Sequence, residues 1–262
     1  MGSKTTPNAF THSAWPTTDG DYVYVTDEVN GAWVTAYNCS DAADIKEVDR
    51  YKHDPLVNYP PHNPYRLNDF FVVSYYKAGV TIVDCKYPYN LIETGHYDTN
   101  PLVGSGFEGV WTAHPYLPSG VVLASDMQDG LFILEPTYTQ ACYVEGVVKD
   151  AITNANILGA TVQVVNIIGS NTTTNATGFY ATGSGASGSK LIVTSKTGYI
   201  SDSTYKTLTN GVLTTHNVFL SPNTNCAAPP EGLGANTITE TTATVTWNAA
   251  PNAIDYSVRY RK

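Results

Sequence analysis

Positive charge is scarce in this sequence: 14 lysines and arginines stand against 23 acids, for a net charge of −9. No basic stripe is present to meet phosphates, which argues against a nucleic-acid partner. No apolar run reaches the length of a membrane-spanning helix. Met1-Gly-Ser-Lys leads straight into polar sequence, without the apolar core of a signal peptide. Lysine and glutamate, the residues that long helices favour, are few, and no window keeps a 3.6-residue apolar period, so almost no helix is expected. There are only four cysteines and no Cys-x-x-Cys, which excludes a zinc ribbon. No Gly-x-Ser-x-Gly occurs, and no cysteine sits in a local catalytic signature. Two stretches match Gly-x-Gly-x-x-Gly, at Gly104–Gly109 and Gly183–Gly188. Neither opens a helix after a strand, as a dinucleotide site requires.

What is abundant is Thr, Asn, Gly and Tyr, the vocabulary of strands and turns. A repeat of about fifty residues organises the first half. His12 opens His-Ser-Ala-Trp, His62 opens His-Asn-Pro-Tyr and His114 opens His-Pro-Tyr-Leu, at spacings of 50 and 52 residues. Each is followed by an apolar strand (22–26, 70–74, 121–125) and then a second (32–37, 78–83, 130–134). The first two copies align without a gap, pairing Val34 with Val80, Cys39 with Cys85 and Tyr51 with Tyr97. Short strands at this period indicate propeller blades or a related array. Under three blades are counted where a closed ring needs at least about four, so lost N-terminal sequence or assembly of several chains is expected. Equivalent positions on neighbouring blades diverge, so Cys39 and Cys85 are expected as buried free thiols; Cys142 and Cys226 bracket one compact segment and could pair.

The stretches HSAWPTTDGDYVYVTDE, PHNPY, VVSYYKAGVTIVD, HYDTNP and FEGVWTAHPYLPSGVVLASDMQDGLFIL resemble the C-terminal part of choice-of-anchor B proteins, which carry LVIVD-type propeller repeats. One departure is a cysteine, Cys39 or Cys85, where such repeats place Ile or Val. Residues 142–221 resemble a carboxypeptidase regulatory-like domain, a transthyretin-like β-sandwich, on Gly146-Val147-Val148-x-Asp150, Gly159-Ala160-x-Val162, Thr177-Gly178-Phe179-Tyr180 and Gly198-Tyr199. After a linker at 222–229, residues 230–262 resemble the start of a fibronectin type III domain, on Pro230, Leu233, Ala243-x-Val245-x-Trp247 and Tyr256-x-Val258-x-Tyr260. The expectation is therefore all-β: an incomplete β-propeller over 10–137, a small sandwich, and a truncated fibronectin-like stub. The resemblance implies a secreted or surface-bound bacterial protein and no known reaction.

Chemistry concentrates in the first part, which holds 17 of the 23 acids and 7 of the 14 bases. That excess fits either solubility or cation binding. Equivalent positions of rotated copies form a ring around an axis, so His12, His62 and His114 are expected on one face. Asp27, Glu28 and Asp126 end the strands that follow. Imidazoles with carboxylates suit a divalent transition metal, and His12, His62, His114, Asp27 and Asp126 are the candidate ligands. The competing reading is that each imidazole bonds a blade turn. His53, His96 and His216 follow no pattern and read as surface residues. Thirteen of the 19 tyrosines lie within 1–138. Most suit strand packing, while Tyr59, Tyr65, Tyr75 and Tyr76 could form a face for carbohydrate or protein. The expected function is non-enzymatic binding or adhesion at the cell surface. The alternatives are a metal-dependent enzyme with a site in the propeller channel, or an accessory segment of a larger extracellular hydrolase.

Overall fold

The computed structural model describes residues 1–223 and 231–249. Among them the chain is all-β, without a helix, and arranged in six sheets, none closed into a barrel. The first sheet runs in order β1 (Thr11–Pro16), β2 (Tyr22–Asp27), β3 (Val34–Asn38), β4 (Lys46–Tyr51). The second repeats it with β5 (Pro64–Leu67), β6 (Phe70–Ser74), β7 (Val80–Asp84) and β8 (Ile92–Tyr97). The third has only β9 (Val110–His114), β10 (Val122–Asp126) and β11 (Gly130–Leu134). All neighbours in these sheets are antiparallel.

Local chemistry sets the hairpins. Asn68 takes a left-handed conformation (φ 55°) between β5 and β6, which a short polar side chain tolerates. After β10 the Asp126 carboxylate accepts the backbone N–H groups of Gln128 and Asp129 at 2.9 and 3.0 Å, fixing the turn into β11. Alternation along the strands then gives each sheet two apolar faces. Tyr24, Val34 and Ala36 of the first sheet pack on Phe71, Val73 and Val83 of the second. The opposite face of the second, with Val72, Val80 and Ile82, packs on Val110, Ala113, Val122 and Ala124 of the third. The far face of the third sheet is bare: Leu131 and Ile133 are 67% and 65% exposed. By strand pairing these two stand where Val80 and Ile82 stand in the second sheet.

The next eight strands are β12 (Cys142–Asp150), β13 (Thr161–Val164), β14 (Thr172–Thr173), β15 (Phe179–Ser184), β16 (Gly188–Ser195), β17 (Asp202–Leu208), β18 (Leu213–Thr215) and β19 (Val218–Leu220). They form two sheets, β15-β12-β18 with β19 beside β12, and β14-β13-β16-β17. One core lies between the two, with Val144, Val148, Val162, Tyr180, Ile192 and Leu220 almost fully buried. Cys142 is buried here as a thiol, Cys85 is buried in the second sheet and Cys39 is half-buried; burial pushes the Cys85 thiol up to about 12. Cys226, which the sequence allows as a partner of Cys142, lies outside the described residues, as do Pro230, Tyr256, Val258 and Tyr260. Of the fibronectin-like segment, the hairpin β20 (Gly234–Asn236) and β21 (Thr244–Thr246) is described.

The two-sheet unit is seated on the second sheet. The Asp84 carboxylate accepts the Ala141 N–H at 2.8 Å and the Tyr143 hydroxyl at 2.5 Å, and the Asn90 amide donates to the Thr182 carbonyl at 3.0 Å. The second glycine-rich stretch serves this contact. A Cβ on Gly185 would stand 2.5 Å from the Glu93 carbonyl oxygen, and one on Gly183 would collide with Ile92. These glycines allow close backbone approach.

Candidate functional site

The repeated sheets put equivalent residues side by side. In β1, Ser13 pairs with Thr26 and Trp15 with Tyr24, and a register shift between Thr11 and Ser13 leaves His12 at an irregularity. In the second sheet the His62 N–H bonds the Ser74 carbonyl at 2.9 Å, and Tyr65 pairs with Val72. The two imidazoles therefore occupy matching places, and their rings stack with centroids 4.4 Å apart. In the third sheet Thr112 pairs with Ser125 and His114 with Leu123. Trp111, not His114, fills the histidine place, and its indole lies 4.6 Å from the His62 ring. His114 falls three residues later, at the place of Trp15 and Tyr65. The segment Trp111-Thr-Ala-His114 thus aligns with His12-Ser-Ala-Trp15, its two aromatic ends exchanged.

The carboxylate beside the histidines is that of Glu28, one residue past β2. Its Oε2 is 3.1 Å from His12 Nδ1 and its Oε1 is 3.6 Å from His62 Nε2. The Tyr76 hydroxyl donates to Oε1; Tyr76 stands in the second sheet where Glu28 stands in the first. His12, Glu28 and His62 form a group whose ligand atoms all lie within 4.8 Å of one another, and among the described residues no other set of three His, Cys, Asp or Glu does so.

His62 is held firmly. The Thr26 hydroxyl donates to its carbonyl at 2.5 Å. Its Nδ1 lies 2.5 Å from the Trp111 carbonyl oxygen, which can only accept, so this contact requires the ring proton on Nδ1 and leaves the lone pair on Nε2; the Asn63 amide nitrogen stands 2.9 Å from the same Nδ1. Nε2 is buried and has no hydrogen-bond partner. Burial holds this imidazole below its ordinary pKa, the adjacent His12 ring pushing the same way and the Trp111 carbonyl and Glu28 opposing.

Of the expected ligand set, then, His12 and His62 meet, while His114, Asp27 and Asp126 stand outside the group. Asp27 is buried, its Oδ2 accepting the Asn8 N–H at 2.7 Å. Asp126 is committed to its turn and to the Thr99 hydroxyl at 2.7 Å. Turn-fixing is the usual use of an aspartate at a strand end, and it withdraws this carboxylate from the histidines. Glu28 has one more methylene and lies past the strand, so it reaches.

Beside this group is an aromatic strip. Trp15 meets Tyr65 edge-on at 5.5 Å and stacks with Tyr116 at 5.7 Å, and His114 is 5.3 Å from Tyr116. His114 and Tyr116 are exposed, and Trp15 and Tyr65 are half-buried. The Tyr116 hydroxyl donates to the Arg66 carbonyl at 2.7 Å. The tyrosine face expected from sequence is thereby redrawn: Tyr59, Tyr75 and Tyr76 are buried in the packing, and only Tyr65 belongs to the strip.

A cavity of about 280 Å³ lies where the first and second sheets meet the two-sheet unit, lined among others by Asp49, Tyr51, Glu93, Ser170 and Thr182. Its polar groups answer one another. Tyr51 and His53 both bond Glu93 Oε2, at 2.5 and 2.9 Å, and Asp49 accepts the Leu91 N–H at 2.6 Å. Burial pushes the Asp49 carboxyl up to about 6. His53 stacks on His96 at 4.2 Å, and His216 is buried, so two of the histidines expected at the surface belong to the packing. Of these three, His96 is the exposed one.

No family model and no curated protein matches this chain. No helix among the described residues is long and apolar enough to cross a membrane.

Proposed function

We propose that this is a secreted or cell-surface binding protein of the adhesion type, without catalysis of its own. In this reading the three N-terminal sheets are blades of an incomplete β-propeller. The two-sheet unit is a transthyretin-like sandwich acting as spacer, and the hairpin at 234–246 is the start of a fibronectin-like module. Matched residues in successive sheets support the blade reading, and the bare face of Leu131 and Ile133 is where a further blade would pack.

The observation that carries the binding role is the strip of Trp15, Tyr65, His114 and Tyr116. Its members come from equivalent or adjoining places in three sheets, on a rigid scaffold, and sit outside the apolar cores. Aromatic side chains offer large contact area at low conformational cost, with polar tips for hydrogen bonds. Arg66 and Thr18, joined at 2.9 Å, border it with donors and acceptors. Carbohydrate is the ligand class this mixture suits best. A glycan array probed with the full chain tests the proposal. Selective binding that weakens at least about tenfold in Trp15→Ala and Tyr116→Ala, the loss of one stacked ring, is the expected result. Protein ligands captured with no glycan signal would redirect the reading to a protein partner.

A further inference from the structure

We infer that His12, Glu28 and His62 form a binding site for one divalent transition metal of the zinc class, with one coordination position left open. Donor type comes first. Two imidazoles and a carboxylate suit zinc, cobalt(II) or nickel(II), whereas calcium and magnesium take oxygen ligands. Spacing comes second. Ligands about 2.1 Å from a tetrahedral ion stand about 3.4 Å from each other. Taking one ligand atom from each residue, the three lie within 4.8 Å of one another, and each imidazole approaches a different oxygen of Glu28, at 3.1 and 3.6 Å, so a modest side-chain adjustment brings them to that spacing.

The third support is the state of His62. Its Nε2 is buried and unpartnered while Nδ1 is bonded to the Trp111 carbonyl. A backbone carbonyl on the far nitrogen is the usual way a metal-binding histidine is oriented and its tautomer fixed. Glu28 is oriented likewise by the Tyr76 hydroxyl. An unsatisfied buried nitrogen costs stability, and an ion would answer it.

His12 supplies the adjustment. The two rings now stack with a 22° angle between planes, and an ion must lie near the plane of each ring it binds. Ligation therefore swings the His12 ring out of the stack. Its side chain is 33% exposed, against 2% for His62, and is free to do so. That exposure leaves the fourth position to water or to a donor atom of a bound partner. Trp111, half-exposed against His62, and Phe107, against Tyr76, give the site an apolar margin.

The ion-free alternative is a plain ion pair between His12 and Glu28 with His62 as packing. Cobalt(II) titration of the full chain separates the two. Metal binding predicts a 1:1 complex with the intense visible bands of tetrahedral cobalt, displaced by one equivalent of zinc. His12→Ala and Glu28→Gln, both at accessible side chains, are expected to weaken it by about 100-fold or more, and Tyr76→Phe by about 10-fold. His114→Ala is expected to leave it unchanged. No 1:1 binding, or binding equally strong in His12→Ala, would overturn the site. Loss of metal in His114→Ala with retention in Glu28→Gln would overturn the assignment of ligands. Glycan binding is read separately, so failure of the aromatic strip leaves this test intact.

Discussion

The three N-terminal sheets and the two-sheet unit solve the same problem differently. In the unit, two sheets close over one core, and Val144, Val162, Tyr180 and Ile192 are at most 1% exposed. The N-terminal sheets instead pack on one another; among the described residues only the second is covered by a sheet on both faces, and the third leaves Leu131 and Ile133 in water. The polar content differs too. In the unit, buried hydroxyls tie down local connections, as Thr174 does by donating to the Ile157 carbonyl at 2.5 Å. In the array, repetition brings ionisable and aromatic side chains from separate sheets together at one place. Burial in the unit is self-sufficient, whereas repetition in the array gathers side chains from several sheets at one place.

The sharpest way to break this contrast is to cut into the core of the two-sheet unit. Ile192→Ala removes a fully buried side chain and is expected to cost about 2–5 kcal/mol in urea unfolding. An unfolding curve close to wild type would deny the unit a core of its own.

Asp49 probes the contact between the regions. Its folded-state carboxyl titrates near 6 instead of the ordinary 3.8, so the folded chain holds this proton more tightly than the unfolded one. The stabilisation is full below about pH 4 and is lost as pH rises through 6. Asp49→Asn should therefore gain about 1–2 kcal/mol over wild type at pH 7.5 and little at pH 4, as thermal unfolding at the two pH values would register. An advantage that does not vary with pH would remove burial of the carboxylate as its cause.

The smallest effect belongs to the bare face. Leu131→Ser with Ile133→Ser should change stability by less than about 0.5 kcal/mol, because both side chains already face water. Light scattering should also show less self-association. A loss of several kcal/mol would mean that this face is covered.

Much of this arrangement was legible in the sequence. Short apolar runs within the repeat located β6 and β11 to the residue, and composition pointed away from helices. The pairing of His12 with His62 followed from the repeat. Two things did not. His-x-x-aromatic and aromatic-x-x-His look interchangeable along the chain, so His114 aligned with the histidines although strand register puts Trp111 in their place. Register is fixed by pairing and by an irregularity between Thr11 and Ser13, neither written in one strand alone. Burial was the second. Tyr75 and Tyr76 were candidates for an exposed binding face, yet their surroundings come from residues about 40–50 positions away, such as Ala32 and Glu28. Glu28 was visible as a strand-end acid, but its reach to both imidazoles needed the second sheet in place.

The division of labour is tested most directly by comparing exposed aromatics in the two regions for binding on the same glycan array. Tyr205 in β17 is 70% exposed and serves as the control for Trp15. The account predicts that Trp15→Ala loses the glycan signal while Tyr205→Ala keeps it, both proteins retaining the wild-type far-ultraviolet spectrum. Loss in Tyr205→Ala with retention in Trp15→Ala would place binding in the two-sheet unit and contradict the account.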